Sequence, residues 1–269
     1  RRFDCQVLSI VSDNQQVRGL IYLDIISGEV NSIQAKSIIL ATEGYEGLWQ
    51  TPGVGSGTGI ALAIKSEIPL QGINNFPIHP LTIKGTDMHL PMDILDSGAQ
   101  LRKPNGDDAQ PSDVLEESCV LDLRKMNKED KPWYKNTLLN IKNRTNLDIN
   151  TDVIPISPSV ITTGGIPVDP NGRVTVNEGK LWFTGLYAAG QSSNNGMHGN
   201  GLLPGNLLLH ALLSGKIAGL SASSWAVKEN FSNSSLVESE EQKSLDALNK
   251  IHKPEGKTVG QISTILNSL

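Results

Sequence analysis

Thr184 to Leu220 reads TGLYAAGQSSNNGMHGNGLLPGNLLLHALLSGKIAGL, and this stretch decides the fold. Leu186 to Ala189 is a short apolar strand that stops at Gly190. A loop follows with Gly196, Gly199, Gly201 and Gly205. Leu207, Leu208, Ala211, Leu212, Gly215 and Gly219 then recur at helical spacing, which predicts a helix. A glycine-rich turn between a buried strand and a helix presents backbone N–H groups and the positive end of the helix to electron-rich oxygens of a ligand. Glycine permits that approach because it has no Cβ.

Three further stretches carry the same message. Ser37 to Tyr45 reads SIILATEGY, a strand entering a turn. Phe76 to Pro80 reads FPIHP. Val153-Ile154-Pro155 is followed by Thr163-Gly164-Gly165-Ile166-Pro167. In order and spacing the four resemble the flavoprotein subunits of the succinate dehydrogenase/fumarate reductase family, which include relatives of L-aspartate oxidase. They correspond to its "ATGG" turn, its "QFHP" and "PVxPxxHYxxGGI" segments and its C-terminal flavin-binding segment. The resemblance covers nearly the whole chain. It implies an α/β (α+β) fold: an incomplete, Rossmann-like FAD-binding domain with an inserted capping domain.

The implied organisation is a flavin-binding domain in two parts, residues 1–80 and 151–221, around a shortened cap at 81–150. Residues 222–269 are a linker and the start of a C-terminal helical region. Cys5–Val11, Gly19–Ile25 and Ser32–Leu40 read as three strands of a meander, with turns at Asp13-Asn14 and Ser27-Gly28. Gly53 to Gly59 is glycine-rich and precedes a helix at Ile60 to Lys65. No GxGxxG followed by a suitable helix occurs, and the chain opens mid-pattern at Arg1 without Met, so a partial family member is expected. Leu236 to Ile251 reads as a solvated helix with Glu and Lys faces, after a linker at Ser232 to Ser235. Thr258 to Leu269 reads as an amphipathic helix.

Composition narrows the partners. The chain has 269 residues, 38% of them hydrophobic, and a net charge of -5, with no basic footprint for nucleic acid. Cys5 and Cys119 stand alone without CxxC or metal spacing, which fits buried small residues, no metal site and a reducing, cytoplasmic compartment. Pro204, Asn206, His210 and Lys216 interrupt the apolar run from Leu202 to Leu220, so it reads as a core helix and not as a membrane span. Trp133 and Trp182 read as packing residues. His89, His210 and His252 carry no motif and read as structural or solvated.

On the cofactor side the resemblance assigns Thr42, Gly44, Tyr45, Gly190, Gln191, His198, Gly205, Asn206, Leu207 and Leu208 to FAD. Gln191 stands where the family has Glu; an amide still bonds a ribose hydroxyl. On the substrate side the family holds a dicarboxylate with charged groups, and an arginine shuttles a proton. There the chain departs from the pattern. His79 is the only retained substrate-side residue. Leu202 replaces the clamp arginine, Val160 the histidine of "HYxxGGI", and Ser112 the shuttle arginine. Pro91 to Ala99 stands where the family has a Thr-Glu pair and an arginine. Arg102 and Arg124 are the nearest alternatives.

Three functions therefore stay open. One is an FAD-dependent oxidoreductase of the succinate/fumarate type acting on a dicarboxylate-like substrate. Another is the same fold with a less anionic substrate. The third is a non-catalytic binding or assembly protein, so whether the chain is an enzyme is left undecided. The resemblance also implies an iron–sulfur partner subunit, with membrane association only through partners and no direct membrane insertion.

Overall fold

A computed structural model describes residues 1–48, 55–203, 205–251, 256–257 and 259–266. Gly53 and Val54 of the glycine-rich run, Pro204, His252, and Thr258 and 267–269 of the C-terminal helix lie outside the described residues.

The larger lobe is built on a six-stranded sheet. Strands β1 (Cys5–Asp13) and β2 (Gln16–Asp24) form an antiparallel hairpin. Strand β3 (Val30–Gln34) continues the meander on β2. The single strand expected over Ser32–Leu40 is in fact two. After Gln34 the chain leaves the meander, and β4 (Ile38–Leu40) pairs in parallel with a strand that arrives about 150 residues later. Alternation of apolar residues reports which face is buried, not which strand is the neighbour, so sequence merged the two. Helix α1 (Thr58–Lys65) packs Leu62 and Ala63 into the core beneath.

The smaller lobe has its own four-stranded sheet, in the order β5 (Ile78–Ile83), β8 (Ile154–Val160), β7 (Cys119–Asp122), β6 (Gln100–Arg102). Helix α2 (Lys135–Thr145) covers it through Ile141. The lobe has a separate core around Leu81, Leu121, Ile154 and Ile156. Two sheets with two cores make two lobes, and the chain crosses between them near Ile78 and Val160.

The chain then returns to the larger lobe. Short strand β9 (Ile166–Pro167), β10 (Arg173–Val176) and β11 (Leu181–Ala188) lead to β12 (Ser193–Asn194), which pairs with β9. Strand β11 is central: it pairs with β4, β2 and β10. Helix α3 (Asn206–Ala226) lies on it through Ala218 and Ala222. The core-helix expectation holds on this side only. Leu208, Leu209, Leu212, Leu213 and Leu220 are exposed, and α3 is long and apolar enough to cross a membrane by length and composition.

Helix α4 (Ser235–Ile251) differs from the solvated helix expected. Val237 is buried against Val11 and Ile21, and Glu241 accepts a hydrogen bond from Ser32 on β3. Val237, with half-buried Leu236 beside it, docks a mostly polar helix from its first turn, and polar composition hid this. Helix α5 is Val259–Leu266. Cys119 is buried, as expected, whereas Cys5 is half-buried. Trp182 packs against Tyr187 and Trp225, but Trp133 is 82% exposed.

Glycines separate close packing from open space. A Cβ on Gly164 would collide with the backbone of Gly72 and Ile73, at the crossing between lobes. Gly215 of α3 has nothing within 4 Å of its Cβ position. Gly164→Ala is therefore expected to destabilise by about 1–3 kcal/mol, the usual cost of forced overpacking. Gly215→Ala should stabilise by up to about 1 kcal/mol through helix propensity. Urea denaturation of both variants checks this, and equal effects would contradict the packing described.

Candidate functional site

The end of β11 meets the end of β4, and backbone bonds fasten the junction. Ala189 N donates to Leu40 O at 3.0 Å, and Ser192 Oγ donates to the Leu40 carbonyl at 2.9 Å. Beside this seam a buried carboxylate gathers three distant segments. Glu46 is 7% exposed. It accepts from Thr162 N at 3.0 Å and from Thr162 Oγ1 at 2.9 Å. It also accepts from Gln191 Nε2, whose other hydrogen goes to Thr162 O at 3.1 Å. With both amide hydrogens used, Oε1 is the part of the Gln191 amide left to accept a hydrogen bond. The pattern did not single out Glu46 or Thr162, because their partners lie over a hundred residues away.

The turn after β4 is shaped by the same group. A Cβ on Gly44 would strike Thr162 Oγ1 and the Glu46 carboxylate, so only glycine fits. Tyr45 N donates to Thr162 Oγ1 at 3.2 Å, and Tyr45 Oη donates to Ile73 O at 3.2 Å. Burial, and then the Glu46 charge, push the Tyr45 phenol above its ordinary pKa. Gly190 N donates to Ser214 Oγ of α3 at 2.8 Å. The structure thus brings Gly44, Tyr45, Gly190 and Gln191 to one seam.

Helix α3 opens without a side-chain cap, and Gly205 adopts φ 78 with nothing within 4 Å of its Cβ position. An uncapped start leaves first-turn N–H groups available to a ligand. Asn206 and Leu209 line one cavity with His210 and Asp169, while Gly205 and Leu207 line another, and Leu208 is exposed. His198 and His210 rings meet edge-on at 5.0 Å between centroids. Burial lowers the pKa of both. Nε2 of each, and Thr42 Oγ1, are buried without a hydrogen-bond partner among the described residues.

The second of these cavities, of about 520 Å³, lies where the lobes meet. His79, His89, Met92, Ile161, Leu202 and Leu203 help to line it. His89, which carried no sequence signal, stands beside His79 with ring centroids 5.1 Å apart. A bridge between Thr82 and His89 folds the segment after β5 back on the strand. The ten-residue spacing of the two histidines across a turn was the only available clue. Leu202 reaches the cavity because its loop is held down. Phe76 N donates to Asn200 Oδ1 at 2.8 Å, and Thr163 Oγ1 donates to Gly199 O at 3.2 Å.

Ser112 is exposed on a short 3-10 turn and is not among the residues lining this cavity. Val160 faces Ile78 across the β5–β8 ladder. Arg124 bonds Asp122 through Nε at 2.9 Å and NH2 at 2.8 Å, and Arg102 sits 3.7 Å from the same carboxylate. These bonds, Arg124's foremost, hold the Asp122 carboxyl below its ordinary pKa. Moving either arginine would weaken the pairing of a side chain only 3% exposed, which is costly. Among the described residues no group of three or more His, Cys, Asp or Glu is placed to hold a metal.

Comparison with known proteins defines the class. The model of the FAD binding domain family matches residues 1–137 and 124–208, well over half of the chain. The chain belongs to this family, and FAD is its cofactor. Among curated proteins it is similar to L-aspartate oxidase of Clostridium perfringens, at 27% identity over 247 residues, covering 82% of this chain and 54% of that protein. It is also similar to the 8-methylmenaquinol:fumarate reductase flavoprotein subunit of Wolinella succinogenes, at 25% identity over 85% of this chain and 42% of that protein. A variant of E. coli quinol fumarate reductase shares the fold, with a TM-score of 0.80 and 20% identity over 98% of this chain and 52% of that one. The chain spans about half the length of the curated relatives it matches.

Two measurements test the site. Glu46→Ala leaves the Thr162 donors and the Gln191 amide without their buried acceptor, and is expected to cost about 2–4 kcal/mol in urea unfolding. The histidines set a pH dependence. Burial, with His89 adding a smaller like-charge effect, lowers the His79 pKa to about 4, and His89 is lowered too. The unfolded chain, with histidine near ~6.5, then binds more protons between pH ~6.5 and ~4, so stability falls as pH falls through that window. The urea midpoint should drop between pH 7.5 and 5, and His79→Asn should shrink the drop.

Proposed function

We propose that the whole protein is an FAD-dependent oxidoreductase of the succinate dehydrogenase/fumarate reductase type, working on a small molecule held between its two lobes. One observation carries this reading: His79 and the start of α3, through Gly205 and Leu207, line the same cavity. In α/β folds ligands sit where strand ends and helix starts converge.

FAD fits the larger lobe. Among the described residues Thr42 Oγ1 and His198 Nε2 are buried without a hydrogen-bond partner, and the α3 start is uncapped and open at Gly205. Thr42, Gly44, Tyr45, Gly190, Gln191, His198, Gly205, Asn206, Leu207 and Leu208 would hold it. Bound there, FAD supplies two-electron redox chemistry at its ring. The positive end of α3 favours negative charge placed beside it. Gln191 Oε1 offers an acceptor to a ribose hydroxyl, kept in that orientation by Glu46. The smaller lobe acts as the cap, keeping water from the cavity. His79 and His89 orient the substrate, neutral at pH 7. An iron–sulfur protein would take up or deliver the electrons, and the chain would meet a membrane through such partners.

The full-length protein tests the reading. It should be yellow as purified, with stoichiometric FAD bleached by dithionite. Gly205→Val forces a β-branched residue into left-handed backbone at the α3 start and should cut the FAD content at least about tenfold, given a strain of 1–3 kcal/mol plus a blocked approach. Full flavin content in Gly205→Val would remove α3 from the site.

A further inference from the structure

The cavity between the lobes has a largely apolar lining. Among the described residues its lining is formed by Pro, Ile, His, Leu, Met and Gly, with no Asp, Glu, Lys or Arg. Leu202 and Leu207 come from the α3 side, Met92 and Leu90 from the smaller lobe, and Ile161 from the crossing. Arg102 and Arg124 are engaged at Asp122. The polar side chains on offer, among the described lining residues, are two imidazoles on adjacent segments. Leu81 N donates to His79 Nδ1 at 3.2 Å, so the neutral ring carries its proton on Nε2. Nε2–H is then the ring's remaining donor. His89 Nδ1 is occupied with Thr82 Oγ1 at 2.8 Å. Both rings are partly buried against apolar neighbours, and a second cation 5.1 Å away would repel the first, so the pair stays neutral near pH 7.

We infer that this cavity takes an uncharged, largely apolar carbonyl compound whose oxygen accepts a hydrogen bond from His79 Nε2–H, and not a dicarboxylate. The inference rests on the reading of the cavity as the substrate site. A dicarboxylate entering it would lose its hydration at two charged ends and find, among the described lining residues, two neutral imidazoles and the α3 start but no Lys or Arg to clamp either carboxylate. A carbonyl oxygen needs only one donor, and the leucines, methionine and prolines bury the rest of such a molecule. The volume, about 520 Å³, lies within the usual range for small-molecule sites.

The test uses the full-length, FAD-loaded protein at pH 7, with 2-cyclohexen-1-one, its alkyl-substituted analogues and succinate as probes, read by calorimetry and by the perturbed flavin absorbance. Cyclohexenone should bind saturably, and each added methyl group should tighten binding about fourfold. His79→Phe, which keeps the ring and removes the donor, should weaken cyclohexenone roughly three- to tenfold. Leu202→Arg should reverse the preference, losing cyclohexenone and gaining succinate. Tighter binding of succinate than of cyclohexenone by the unmodified FAD-loaded protein would overturn the inference and leave the flavoenzyme reading standing. So would cyclohexenone binding indifferent to both His79→Phe and Leu202→Arg. A folded full-length protein that takes up no FAD would defeat the flavoenzyme reading itself, and the inference with it.

Discussion

The buried carboxylate of Glu46 is the interaction on which the site depends. It sits on the turn after β4, accepts both donors of Thr162 on the loop after β8, and holds the amide of Gln191 after β11. These three turns come from distant parts of the chain, and the hydrophobic cores beneath them fix strands, not loop tips. A charge-assisted bond to a buried carboxylate is directional and strong. It therefore sets the loop geometry that burial of leucines leaves free. Gly44 follows from it, because no Cβ fits between Thr162 Oγ1 and the carboxylate. An amide at position 191 also fits this arrangement. A carboxylate at 191 would face a second buried carboxylate, whereas an amide donates to it.

The two lobes divide the chemistry. The larger supplies open backbone, an uncapped helix start and orphaned polar atoms, which suit a cofactor rich in oxygen and nitrogen. The smaller contributes an apolar wall and two histidines. Between them the cavity has no charged side chain among its described lining residues, and Arg124 and Arg102 are both ion-paired with Asp122. Desolvation makes an apolar lining costly for an anion, and the α3 start is the feature of this cavity that offsets part of that cost.

Much of this was legible in the residues. The β11–loop–α3 unit, the hairpin of β1 and β2 and the turn after β4 follow from periodicity and glycine placement, and the structure contains each of them. The split of Ser32–Leu40 into β3 and β4 was not legible, since a parallel partner in β11 leaves no mark on β4 itself. The docking of α4 through Val237 was hidden by its polar neighbours. Trp133 misled in the other direction: a large aromatic was expected to pack and instead stands in solvent.

The chain's own sequence determined the family, the cofactor class and the strand and helix types around the glycine-rich loop. These depend on local spacing and residue identity, which a linear pattern carries. Only the tertiary structure decided that Leu202 and His79 share a cavity, that His89 joins them, that Arg102 and Arg124 are committed elsewhere, and that Glu46 joins three turns. Those facts are contacts between residues up to about 145 positions apart, made by how two sheets and α3 pack, and no local pattern encodes them.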